Sequence, residues 1–195
     1  MESFETLLGE AEVAHGHLCA GQILGVRMAM LGCRLLGIEE PRGRDRKRLV
    51  TYVEIDRCAT DAIAVVTGCR LGKRALKFRD WGKMAATFVD LQGKAVRVAA
   101  LESSKARARE LYPEMGDKNQ QQMRAYREMP DDELFSAQWV SVAIEAREMP
   151  GYKSARIVCA ECGEGINYDR EVLVEGRTLC LGCAAPGQRY FQPLT

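Results

Sequence analysis

Histidine is nearly missing from this chain: its 195 residues hold only two, His15 and His17, which stand one residue apart. An excess of charge of one sign is also lacking, because 28 lysines and arginines meet 27 aspartates and glutamates. Such a balance offers no broad field to hold a polyanion, so nonspecific nucleic-acid binding is disfavoured and any such contact would need a local patch. No long apolar run is present either. The most apolar stretch, residues 13–38, is broken by His15, His17, Gln22, Arg27 and Arg34, whereas spanning lipid takes about 20 predominantly apolar residues. The opening MESFETLLGEAEVAHGH is acidic where a secretion signal is basic, and its apolar residues are too scattered for a signal core. These absences point to a soluble, cytoplasmic protein with no membrane partner.

Cysteine, by contrast, is plentiful at eight residues. In a reducing compartment thiols serve as ligands, reactive groups or small core residues rather than as a disulfide framework. Cys159 and Cys162 (CAEC) and Cys180 and Cys183 (CLGC) form two C-x-x-C pairs separated by seventeen residues. Two residues between cysteines let both sulfurs reach one ion, and a tetrahedral set of four soft thiolates suits Zn2+. The intervening GEGINYDREVLVEGRTL contains a turn, the strand-like REVLV and a second turn, enough for a hairpin that returns the second pair to the first. A closed four-thiolate sphere leaves no position for substrate, so this Zn2+ is read as structural, folding a segment too small for a core of its own. Iron–sulfur ligation usually comes with other spacings. The module resembles the DksA/TraR-like zinc finger, over the C-terminal residues alone.

Apolar periodicity predicts a helix over residues 18–36, closed by Gly37. Gly21 and Gly25 leave a smooth strip on it, at about 1 kcal/mol of helix propensity each, which offers a place for a second copy of the chain to dock. The basic run PRGRDRKR reads as a solvated loop, LVTYVEI as a strand, and DRCATDAIAVVTG as a short helix closed by Gly68, with Cys58 near its start. ALKF, KMAATFVDL and KAVRVAAL, punctuated by RDWG and QG, read as a β-meander. Polar helical material over residues 103–129 follows, and DDELFSAQWVSVAIEA reads as a short helix and then a strand. The expected organisation is an α+β domain over 1–150, an antiparallel sheet with packed helices, joined through REMPGYKS to a small zinc-ribbon-like finger over 151–195.

The stretch HGHLC raises a second metal question. Read as extended chain, it places His15, His17 and Cys19 on one side, and Cys58 at a helix start has its thiolate favoured by the helix dipole and free amides. One imidazole and two thiolates then make a metal site. Taken singly, each cysteine is better read as a core residue and each histidine as a hydrogen-bonded surface group. Cys33 and Cys69, in or beside apolar helices, keep that core reading.

With HGHLCAG, CATDAIAVVTGC, the Gly72–Lys73 pair and DWGKMAATF in this order, residues 1–150 resemble the FmdE family, named for formylmethanofuran dehydrogenase. The resemblance implies a dimerising α+β domain, often followed by a cysteine-rich finger. It implies a metal-binding protein associated with molybdenum or tungsten enzymes that interconvert carbon dioxide and formylmethanofuran. Carried over to this chain, the ligands are His17, Cys19 and Cys58, holding Zn2+ or another transition metal, with His15 an orienting or additional ligand. Asp61, Asp80 and Lys83 become pocket residues and the candidate catalytic groups. Ala20 stands where the family usually has proline, and Trp81 where tyrosine is common; Trp81 is expected to anchor its turn by packing. The chain lacks ferredoxin-type cysteine runs and is too short for a pterin-bearing catalytic chain, so an accessory role follows. The partners so implied are a second copy and components of a molybdenum or tungsten oxidoreductase. Two other readings compete: a zinc-dependent enzyme using an open position at His17, Cys19 and Cys58 with Lys83 or Asp61 moving a proton, and a regulator whose finger contacts protein or nucleic acid.

Overall fold

In the first helix, α1 (Phe4–His15), the Ser3 hydroxyl accepts the Thr6 N–H at 3.2 Å and Glu5 occupies the first turn, both favourable at the positive end of the helix dipole. Sequence periodicity does not announce this element, because only Leu7, Leu8 and Ala11 are buried along it and three apolar positions make a weak periodic signal. It stops at Gly16, whose φ of +94° is open to glycine and strained for most other residues. The structure is a computed structural model that describes every residue except Pro193 and Thr195. It falls into two units, Met1–Ala143 and Ile144–Thr195.

In the first unit, the helix expected over 18–36 runs as α2 (Ala20–Leu36) and ends at left-handed Gly37. Strand β1 (Leu49–Val53) and helix α3 (Cys58–Thr67), closed by left-handed Gly68, follow as expected. The strands β2 (Leu76–Phe78), β3 (Ala85–Asp90) and β4 (Lys94–Ala100) come next. Helices α4 (Ser103–Leu111), α5 (Lys118–Glu128) and α6 (Asp131–Leu134) lead into β5 (Phe135–Val140). One five-stranded sheet results, in the order β2-β1-β3-β4-β5.

The meander expectation needs correction at one strand. β3 and β4 form the expected hairpin, and β5 extends it antiparallel, but β2 lies on the far side of β1 and runs parallel to it. The segment RDWG is therefore a crossing of the end of β1 rather than a hairpin turn: the Trp81 and Lys83 N–H groups both donate to the Glu54 carbonyl at 3.1 Å. Trp81 does not anchor this turn by packing, since it is 62% exposed and meets the Lys83 ammonium, 5.8 Å from its ring centroid.

Helix α2 is the centre of the layer arrangement. A Cβ added at Gly32 would lie 2.2 Å from the Phe88 ring on β3, and one added at Gly25 would lie 2.5 Å from the Ala59 carbonyl oxygen on α3. Both distances are far inside van der Waals contact, so these glycines let the sheet and α3 close on α2 from two sides. The strip at Gly21 and Gly25 is thus occupied by α3 of the same chain and is not a surface for a second copy. The side of α2 carrying Arg27 and Arg34 meets α6, where both guanidiniums hold the Asp131 carboxylate, Arg27 at 2.6 Å. No helix among the described residues is long and apolar enough to cross a membrane.

In the second unit, β6 (Ile157–Val158) pairs with β7 (Gly165–Ile166) and β8 (Val172–Val174) with β9 (Arg177–Leu179), both antiparallel, before a one-turn helix α7 (Leu181–Ala184). Glu175 and Gly176 turn the second hairpin with φ of +49° and +78°, the pair of positive values that a tight two-residue hairpin turn requires. The buried apolar cluster here is Cys159, Ile166 and Leu179 alone, among the described residues.

Candidate metal centre

The four finger sulfurs lie within 4.8 Å of one another. Cys159 sits on the turn after β6, where Gly163, at φ +73°, returns its N–H to the Cys159 carbonyl. Cys180 caps α7 and Cys183 lies within it. The amides of Cys162 and Cys180 aimed at the Cys159 sulfur bring that thiol down to about 6; the Cys180 N–H donates to it at 3.3 Å. Burial and the neighbouring Cys180 thiol push Cys183 up to about 12, while an Arg189 guanidinium donates to its sulfur at 3.0 Å. A set of amide- and guanidinium-supported thiols at this mutual distance fits Zn2+, and four of them close a tetrahedral sphere. The site suits structure rather than catalysis.

The second centre is assembled from three helix ends. His15 is the last residue of α1, the left-handed Gly16 reverses the chain, and Cys19 is the N-cap of α2 in extended conformation. The donor atoms of His15, His17 and Cys19 lie within 4.8 Å of one another, and the two imidazole centroids are 4.6 Å apart. The three residues converge as expected, but through a helix end and a glycine turn rather than through strand-like alternation. Cys58, the first residue of α3, contacts the Cys19 thiol and stands outside the mutual three-residue group. A Cβ at Gly21 would lie 3.2 Å from Cys58 Cβ and 3.6 Å from Cys19 Sγ, so that glycine keeps the two cysteines in contact. Buried Gln22 fixes the start of α3 by donating to the Cys58 carbonyl at 2.7 Å.

The two imidazoles differ in kind. His15 Nδ1 is 2.8 Å from Asp61 Oδ2, and Nε2, buried, has no hydrogen-bond partner. A carboxylate at Nδ1 holds the proton there and presents the Nε2 lone pair outward, the arrangement by which a ligating histidine is oriented. An orphaned buried acceptor of this kind fits a metal ion. Sequence alone gives His15 the lesser role and places Asp61 in the pocket without a partner; forty-six positions separate the two residues, and no local pattern announces the pairing.

Cys58 begins α3, as expected, and two effects on its thiol act against the helix end. Burial and the adjacent Cys19 thiol push Cys58 up, outweighing its backbone amide contact; a cation beside both sulfurs would reverse that direction. Asp80 and Lys83 belong to the crossing over β1. Asp80 Oδ1 accepts the Gly82 N–H at 3.1 Å and is not in the histidine–cysteine group, and Lys83 lies over Trp81. Cys33 and Cys69 are core residues as read, the former fully buried and pushed up to about 12 by that burial. The Cys69 thiol donates to the Leu49 carbonyl at 3.5 Å.

Comparison with known proteins places both units in known families. Residues 14–136 match the family model described as FmdE, molybdenum formylmethanofuran dehydrogenase operon, and residues 151–188 match the prokaryotic dksA/traR C4-type zinc finger. A probable S-adenosyl-L-methionine-binding protein of Archaeoglobus fulgidus is 41% identical over 97 residues, 47% of this chain; the match spans 26% of that relative's length. The crystal structure of a tungsten formylmethanofuran dehydrogenase FmdE-like protein from Syntrophus aciditrophicus superposes with a TM-score of 0.66 at 18% identity, covering 97% of this chain and 96% of that one. That likeness is one of fold. With its first unit matched over the HGHLC and CATDAIAVVTGC segments and its second carrying four clustered cysteines, the chain belongs to the FmdE family and bears a C-terminal DksA/TraR-type C4 zinc finger.

Proposed function

We propose that the first unit holds a second metal ion through His15, His17 and Cys19, with Cys58 beside Cys19 as the fourth donor or the neighbour of an open position. The observation that carries this is the buried, unpartnered Nε2 of His15, whose other nitrogen is held by Asp61. The ion would be Zn2+ or another transition metal, since imidazole and thiolate suit several of them. Bound there, it would supply a Lewis-acidic position able to take water or a small ligand.

The role best supported is that of a non-enzymatic accessory protein, cytoplasmic and homodimeric, that holds or hands on a metal for a molybdenum or tungsten oxidoreductase. The link to such enzymes rests on the family name. A metal-dependent enzyme is the second reading, favoured by the three-donor geometry; Asp61, hydrogen-bonded to His15, would be its acid–base group.

Asp61→Asn tests the assignment of His15. Its carboxylate is 58% exposed, so the pair contributes little to stability, while loss of an orienting carboxylate costs about 10–100-fold in metal affinity. Competition with a chromophoric chelator is expected to show that weakening at one ion per chain, with the finger ion unaffected. Equal affinity in the variant and the wild type would contradict the orienting role given to Asp61.

A further inference from the structure

The basic run that reads as a loop in the sequence forms part of a cavity. Glu10, Arg42, Arg46, Gly68, Arg70 and Lys73 are among the residues that line it, and its volume is about 380 Å³, within the size range of small-ligand sites. Its charges are not balanced. Glu10, the acid in this lining, is committed together with Glu2 to the Arg42 guanidinium. Arg46, Arg70 and Lys73 are exposed and take part in no ion pair among the described residues.

Two features oppose an anion here. α1 and α3 both end near this wall, at His15 and Thr67, and each carbonyl terminus carries roughly half a negative charge. Together they offset about one of the three cations, and the two carboxylates on the single Arg42 guanidinium offset another, leaving a surplus of about one positive charge. The loop that carries Arg46 is also ordered. The loop is built on buried Asp45, whose Oδ2 accepts the Glu39 and Glu40 amides at 3.1 Å each and whose Oδ1 accepts from Arg48. A guanidinium on an ordered loop loses less freedom on binding than one on a mobile chain.

We propose that this cavity is a binding site for a small phosphate-bearing molecule. Guanidinium forks of Arg46 and Arg70 match phosphate oxygens in pairs, and Lys73 adds a point charge. Its concave form and modest volume suit a small molecule rather than an extended strand, which needs a groove that tracks a backbone. None of His15, His17, Cys19, Cys58 and Asp61 lines the cavity, and the proposal does not depend on the metal centre.

The test is calorimetric titration of the full chain with inorganic pyrophosphate, at low salt and at about 0.3 M salt. Wild-type binding is expected to weaken about tenfold or more in the Arg46→Gln, Arg70→Gln double variant. It should change by less than about twofold in Arg44→Gln, which removes a charge from the same loop outside the cavity. Metal content measured on the same samples should be equal throughout, which separates loss at the cavity from loss at a metal centre. No titratable binding by the wild type would overturn the proposal. So would an equal loss in Arg44→Gln, which would mean diffuse attraction, or a single-stranded oligonucleotide binding more tightly than pyrophosphate with the same dependence on Arg46 and Arg70.

Discussion

Gly25→Leu is expected to destabilise the first unit strongly rather than to alter how copies of the chain associate. The added Cβ alone would sit 2.5 Å from the Ala59 carbonyl oxygen and 2.8 Å from both Ala59 Cα and Ala62 Cβ. Two of these are backbone atoms, so no rotamer change relieves the clash. Overpacking of a filled core costs about 1–3 kcal/mol even where side chains can shift, and here α3 must separate from α2. Against domain stabilities of about 5–15 kcal/mol, an expected loss above about 3 kcal/mol removes a large share of what holds the unit folded. Thermal melting followed by circular dichroism checks this: a drop of about ten degrees or more is expected, or no cooperative transition. A variant that melts like the wild type but sediments as a smaller species would restore the strip to an interface between copies.

Cys159→Ser is expected to release the finger metal and unfold the second unit while the first stays intact. This unit has a buried apolar cluster of Cys159, Ile166 and Leu179, far too little to offset the ordering of its backbone. Structural zinc contributes about 10–16 kcal/mol in apparent terms to such segments, and Cys159 is the most buried of its four cysteines. Amide hydrogen exchange over residues 157–185 should rise to unprotected rates in the variant, and equally in the wild type treated with chelator, with the amides of α2 and β3 still slow. Persistent protection of β8 and β9 without metal would show that the finger folds on side-chain packing and that zinc is dispensable.

What was legible in the sequence follows the range of the interactions. The finger is local: two residues between paired cysteines and a turn-forming Glu175–Gly176 are enough to foresee its hairpin and ligand set. α2 and α3 were legible for the same reason, each carrying a long apolar pattern and a left-handed glycine at its end. Pairing between strands is nonlocal, and the three residues of β2 carry no mark of whether they join β1 or β3. The glycines showed that something approaches α2 closely; only the packed chain shows that α3 does so. In the histidine–cysteine cluster, His15, His17 and Cys19 announced themselves by contiguity. The division of labour between the imidazoles did not, because it depends on a carboxylate from the first turn of α3 and on the burial of one nitrogen.

The most direct test of the two-centre account is metal content per chain by elemental mass spectrometry, on the wild type and on a Cys19→Ser, Cys58→Ser double variant. The two ligand clusters predict two ions per chain in the wild type, falling to one zinc in the variant, which keeps the finger. One zinc per chain in both proteins would contradict the account and leave HGHLC a helix junction without a metal.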